Sequence, residues 1–260
     1  MAPILFPSAE IVRFLIVLLR ISGIMLLAPF FSSQTIPASV RIAFALVTSF
    51  VLAPSLPLQA VPADLNLGNI VMVFPSEILF GILLGFAATC VFAGFQFAGQ
   101  VVSFQLGFSL INVIDPQTQV ESSVFSFLQN YLGLLFFLLI SGHHWFLLAV
   151  NQSFALLPVG GAHLNGSLME YTIRLAGELL VIGLRIAGPV IAVSVITDVV
   201  MGVVGRTAPQ INILIVGMPL KTLIGFGCLS FSFYFLPRYL DGVYATLHRT
   251  LFSIVHAVQG

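Results

Sequence analysis

Apolar residues run through this chain in long blocks, while polar residues, prolines and glycines gather in short intervals between them. The intervals fall at residues 29–37, 54–75, 112–121, 158–170 and 204–221. Between them lie about six apolar segments, at roughly 9–31, 40–57, 77–111, 122–157, 171–203 and 219–257. No segment alternates apolar and polar positions as a membrane barrel strand does, so the pattern predicts spanning helices. About 20 apolar helical residues cross a bilayer core, a length that every segment except the second clearly reaches.

Two segments overshoot. From Ile78 to Ile114 there is no Asp, Glu, Lys or Arg. A straight helix of that run would measure about 55 Å against an apolar core of about 30 Å. The uncharged run from Ser122 to Met169 is longer still, and tilt alone does not absorb such an excess. The runs are expected to break at Gly94, Gly99, Gly107 and Ser141–Gly142, or to be buried partly in protein. The fold expected is all-α and membrane-integral, with kinked helical segments forming broken hairpins.

Composition agrees. Of 260 residues 59% are hydrophobic and 7% charged, where a soluble domain carries roughly 25% charged residues. So few charges cannot cover a soluble surface, so most of this one faces lipid or other subunits. The formal net charge of zero gives no basis for a nucleic-acid partner. Glu10 and the lack of any basic residue before Arg13 argue against a cleavable leader, so the first segment reads as retained. Cys90 and Cys228, each alone in an apolar run, read as buried free thiols.

The remaining charges are arranged. Glu10, Arg13 and Arg20 share one stripe of the first helix, and Arg174, Glu178 and Arg185 share another on the fifth segment. A charge facing acyl chains costs several kcal/mol, so the stripes act as paired anchors between helices or as the polar lining of a path. No nucleotide or zinc motif occurs, and no cofactor or metal is expected. His143 and His144 point about 100° apart on a helix, which suits an interface or a bend better than a metal. Asp115 and Asp198 lack an acid–base companion at helical spacing except Arg206, eight residues after Asp198. No catalytic pair is visible, so no enzyme activity is expected.

The stretch FQLGFSLINVIDPQTQVESS, residues 104–123, puts a polar, proline-broken interval between two of the most apolar runs. With Arg20-Ile-Ser-Gly-Ile-Met-Leu-Leu-Ala-Pro29-Phe, Ile36-Pro37, Arg41, Gly85, Gly99-Gln100, Gly142-His143-His144-Trp145, Leu157-Pro158, Arg206-Thr-Ala-Pro209-Gln210 and Gly217-Met-Pro219-Leu220, it resembles the FliR family of the flagellar type III export gate along almost the whole chain. Gly205 stands where that pattern favours Asn before the arginine.

The resemblance implies a single membrane domain over residues 1–260, FliP-like in its N-terminal part and FliQ-like in its C-terminal part. It implies one copy joined to FliP and FliQ in the bacterial inner membrane, at the flagellar basal body, beside FlhB and FlhA. Unfolded protein subunits would pass through the gate. It also implies a pore plug carried by Phe104, Leu106, Gly107, Phe108, Leu110, Ile111, Asn112, Asp115 and Pro116. The apolar members suit a dewetted constriction, Gly107 gives backbone freedom, and Pro116 stops the helix. Buried charges serving assembly would be Arg13, Arg20, Arg174, Glu178, Arg185 and Arg206. An injectisome homologue shares the pattern, and a small-solute secondary transporter is the more distant alternative, for which no inverted repeat is visible.

Overall fold

The computed structural model describes residues 8–32, 36–56, 67–108, 124–156, 159–160, 166–208, 210 and 212–257. Among them the chain is helical apart from its connections: α1 Ser8–Leu27, α2 Pro29–Ser32, α3 Ala38–Leu52 with a one-turn 3₁₀ extension Ala53–Ser55, α4 Leu67–Gln105, α5 Val124–Leu139, α6 His143–Leu156, α7 Gly166–Thr207 and α8 Ile213–Ala257. Among the described residues three stretches are long and apolar enough to cross a membrane: Met72–Gln105, Thr172–Thr207 and Ile215–Ile254. A fourth exists if α5 and α6, bent by 63° at a short break, are taken together.

The difference from six segments has physical causes. Helix α1 carries Glu10, Arg13 and Arg20 within 20 residues, and α3 is only 15 residues long. The expected break at Ser141–Gly142 is present, with Ser141 in the left-handed region at φ 56°. The expected breaks at Gly94 and Gly99 are not, because α4 runs unbroken through both. These glycines are instead places where other helices approach. A Cβ at Gly94 would press on Ile182 of α7, and one at Gly99 would collide with the backbone of Phe125 and Ser126 of α5.

The chain forms two compact units. The first comprises Met1–Cys90, Ser141–Leu175 and Ala245–Gly260. In it α1 lies directly on the first half of α4. A Cβ at Gly81 would overlap the Arg20 carbonyl, one at Gly23 would overlap the Ile78 carbonyl, and Gly85 faces the Ile24 carbonyl. The Gly81–Gly85 pair at GxxxG spacing thus serves α1, as small residues do wherever helix backbones touch. Thr89 continues the seam, its hydroxyl 2.7 Å from the Leu27 carbonyl. Helix α3 also packs on α1, and the rings of Phe31 and Phe44 meet at 5.2 Å.

The second unit comprises Val91–Ile140 and Ala176–Tyr244. Its core gathers Val102, Leu106, Phe125, Ala187, Val190 and Leu229. A second layer is aromatic: Phe137 stands against Phe92 and Tyr244 at 5.6 and 5.8 Å. The Tyr244 hydroxyl donates to the Gly133 carbonyl, so the buried phenol has the partner that burial demands.

Candidate functional site

In the second unit, the end of α4 meets α8. Helix α4 closes with a Schellman motif: the Gly107 N–H donates to the Phe104 carbonyl and the Phe108 N–H to the Ser103 carbonyl, each at 3.1 Å. The motif needs a left-handed residue, and Gly107 supplies it at φ 86°. The Leu106 carbonyl points past the helix end and accepts from the Thr222 hydroxyl at 3.0 Å. The Leu106 side chain, 2% exposed, fills the space over Gly225, where a Cβ would overlap its methyl. Phe108, Phe125 and Phe226 complete the contact as three rings 5.4 to 6.1 Å apart.

Met218, Pro219 and Leu223 extend this surface into an open, largely apolar pocket of ≈ 550 Å³. The groups assembled here are rings, aliphatic side chains and one hydroxyl, which hold elements together and exclude water. Lys221, one residue before Thr222, pairs with Asp198 of α7 at 2.7 Å. The partner of Asp198 is therefore this lysine, while Arg206 lies exposed near the end of α7. A pairing across two helices, 23 residues apart, leaves no trace in helical spacing.

In the first unit, Arg20 is 1% exposed and paired with Glu77, also 1% exposed. Its Nε donates to Glu77 Oε2 at 2.7 Å and its Nη1 to Ser153 Oγ at 2.6 Å. Ser153 passes the chain on by donating to the Val150 carbonyl, and the second Glu77 oxygen accepts from the Gly160 N–H at 3.0 Å. The guanidinium lies over the rings of Phe154 and Phe80, at 4.0 and 4.8 Å from their centroids. The cation of α1 is therefore met by two other helices, α4 and α6, while Gly160 holds the far side of its carboxylate. Glu77 is the partner that sequence reasoning passes over. Its only signal is its position as the last acid before the long uncharged run.

The other sequence-selected residues lie apart from these two clusters. Phe104 is 72% exposed; Leu110, Ile111, Asn112, Asp115 and Pro116 lie outside the described residues. Arg13 is half-buried. Arg174 is exposed and pairs with Glu170 one turn before it. Glu178 is half-buried, and Arg185 is exposed and hydrogen-bonds Tyr239. Cys90 and Cys228 form no disulfide with a described residue, the first being buried and the second half-buried. His143 and His144 sit at the start of α6, beside the bend, with rings 4.3 Å apart.

Among the described residues the chain is helical, with three or four helices long and apolar enough to cross a membrane and with the fully buried Arg20 closed off by a carboxylate and two rings; it is an integral membrane protein. The sequence pattern of Bacterial export proteins, family 1, matches residues 11–247. The chain belongs to that family. It is 29% identical to the flagellar biosynthetic protein FliR of Escherichia coli (strain K12) over 238 residues, covering 92% of this chain and 90% of that protein. It is 33% identical to FliR of Bacillus subtilis (strain 168), covering 85% and 84%. Against FliR of Aquifex aeolicus (strain VF5) the identity is 30%, covering 82% and 83%.

Proposed function

We propose that this chain is a component of the flagellar type III protein export apparatus and forms one wall and the plug of its gate. The observation that carries the reading is the family match over residues 11–247, together with relatives named as flagellar biosynthetic proteins that align along nearly their whole length. Those names favour the flagellar apparatus over an injectisome. In this reading the chain resides in the bacterial inner membrane at the basal body, as a single domain with a FliP-like first part and a FliQ-like second part. It assembles in one copy with FliP and FliQ, near FlhB and FlhA, and unfolded subunits pass beside it. It makes and breaks no covalent bond.

The lengths of α7 and α8 support a protein environment. Their apolar stretches of 36 and 40 residues correspond to about 54 and 60 Å of helix, against an apolar core of about 30 Å. Only 28% and 11% of their most apolar windows are buried within the chain. Apolar surface beyond the reach of lipid needs cover from other subunits. The plug is assigned to the stretch that begins at Phe104, and Arg13, Arg20, Arg174, Glu178, Arg185 and Arg206 to assembly, with Arg20 alone of these six buried within the chain.

Native mass spectrometry of the tagged chain co-expressed with FliP and FliQ from the same genome tests the assignment. A defined hetero-oligomer with one copy of this chain is expected. A free monomer or homodimer, with both partners expressed but absent, would refute it. Deleting residues 109–119, which spares the cap of α4, is expected to make membranes holding the complex leaky to small ions. A membrane as tight as the parent's removes the plug.

A further inference from the structure

Phe108 is the last described residue before the 109–123 stretch, and Phe125 is the second residue of the helix after it. Both rings stand against one ring of α8, Phe226, at 6.1 and 5.5 Å, and against each other at 5.4 Å. The same turn of α8 holds the end of α4 in two further ways. The Thr222 hydroxyl meets the Leu106 carbonyl at 3.0 Å, a carbonyl left without an intrahelical donor by the helix end. Gly225 leaves room for the Leu106 methyls, which occupy the place of its missing Cβ.

We propose that Thr222, Gly225 and Phe226 are positioning residues that fasten α4 and α5 together at the two ends of the 109–123 segment. A hydrogen bond and a steric socket hold the end of α4 to this turn of α8, and the ring of Phe226 joins that end to Phe125 of α5. The ion pair of Lys221 with Asp198, at 2.7 Å, ties this same turn of α8 to α7. Its consequence for the closed gate rests on the plug reading: a plug whose two ends are fastened has a fixed seat, and one whose ends part has none.

Hydrogen exchange measured by mass spectrometry on the complex with FliP and FliQ tests the fastening directly. Two variants are compared with the parent, Thr222→Val, which keeps shape and removes the hydroxyl proton, and Phe226→Ala, which removes the shared ring. Peptides covering 101–108 and 124–132 are expected to exchange about tenfold faster in Phe226→Ala and measurably faster in Thr222→Val, with peptides from α1 unchanged. Parent-like exchange in both peptides of both variants would overturn the proposal. Ion leak through the same complexes separates it from the plug reading. Faster exchange without leak keeps the fastening and removes the plug; faster exchange with leak supports both.

Discussion

Taking a guanidinium out of water costs several kcal/mol unless each of its faces is met. Arg20 is met by a carboxylate, a hydroxyl and two aromatic rings. Arg20→Leu leaves Glu77 buried and unpaired, and a destabilisation of about 3–5 kcal/mol is expected. Thermal unfolding of the purified complex, together with its yield, measures this. The double variant Arg20→Leu/Glu77→Leu is expected to recover a large part of the loss, because the orphaned carboxylate is gone too. Arg20→Lys should fall between, since an ammonium keeps the charge but not the planar fork or the stacking. Arg174→Ala is the contrast: its partner Glu170 is one turn away and both are mostly in solvent, so no change in unfolding temperature is expected. Arg20 and Arg174 look equivalent in the sequence, each an arginine on a charged stripe. What separates them is whether another helix brings an acid to the site, and Glu77 lies 57 residues from Arg20.

Glycine acts in two ways within these helices, and each predicts a different response to substitution. At Gly81 an added side chain would run into the α1 backbone, which cannot retreat without separating the helices. Gly81→Val is expected to destabilise by at least about 1–3 kcal/mol, read from unfolding of the complex. At Gly107 nothing lies within 4 Å of an added Cβ, so Gly107→Ala meets only the left-handed backbone, and the expected loss is about 1–2 kcal/mol. This duality decides what the sequence could reveal. Of the four glycine positions expected to break a helix, Gly107 and Ser141–Gly142 do lie at helix ends. Gly94 and Gly99 have the same local appearance, yet α4 passes straight through them. Whether glycine bends a helix or admits a neighbour is fixed by which helix crosses there. Likewise the stretch that begins at Phe104 stood out in the sequence as a polar, proline-broken interval after an apolar run. The residues of α8 that grip it did not, because Thr222, Gly225 and Phe226 are ordinary members of a long apolar run more than a hundred residues away.

At the scale of the whole molecule, membrane residence followed from the scarcity of charge, helical class from the absence of strand-like alternation, and family membership from motifs spread along the chain. The exposed lengths of α7 and α8 predict that the chain made without its partners is cleared or aggregates, and that co-expression of FliP and FliQ restores it. Immunoblots of membrane fractions with and without the partners read this as a several-fold difference in amount. The contact between Arg20 and Glu77 also has an order in time. Translation runs from the N-terminus, so α1 leaves the ribosome with its cation before the acid exists. Glu77 follows 57 residues later and Ser153 follows 133 residues later. At roughly 5–20 residues per second the first delay is on the order of 3 to 11 seconds. During that interval α1 is an apolar helix with an unanswered charge, which disfavours its settling in lipid. A nascent chain arrested before Glu77 should therefore release α1 to alkaline extraction, and one arrested after α4 should retain it, making the first helix of this protein one of the later ones to take its place.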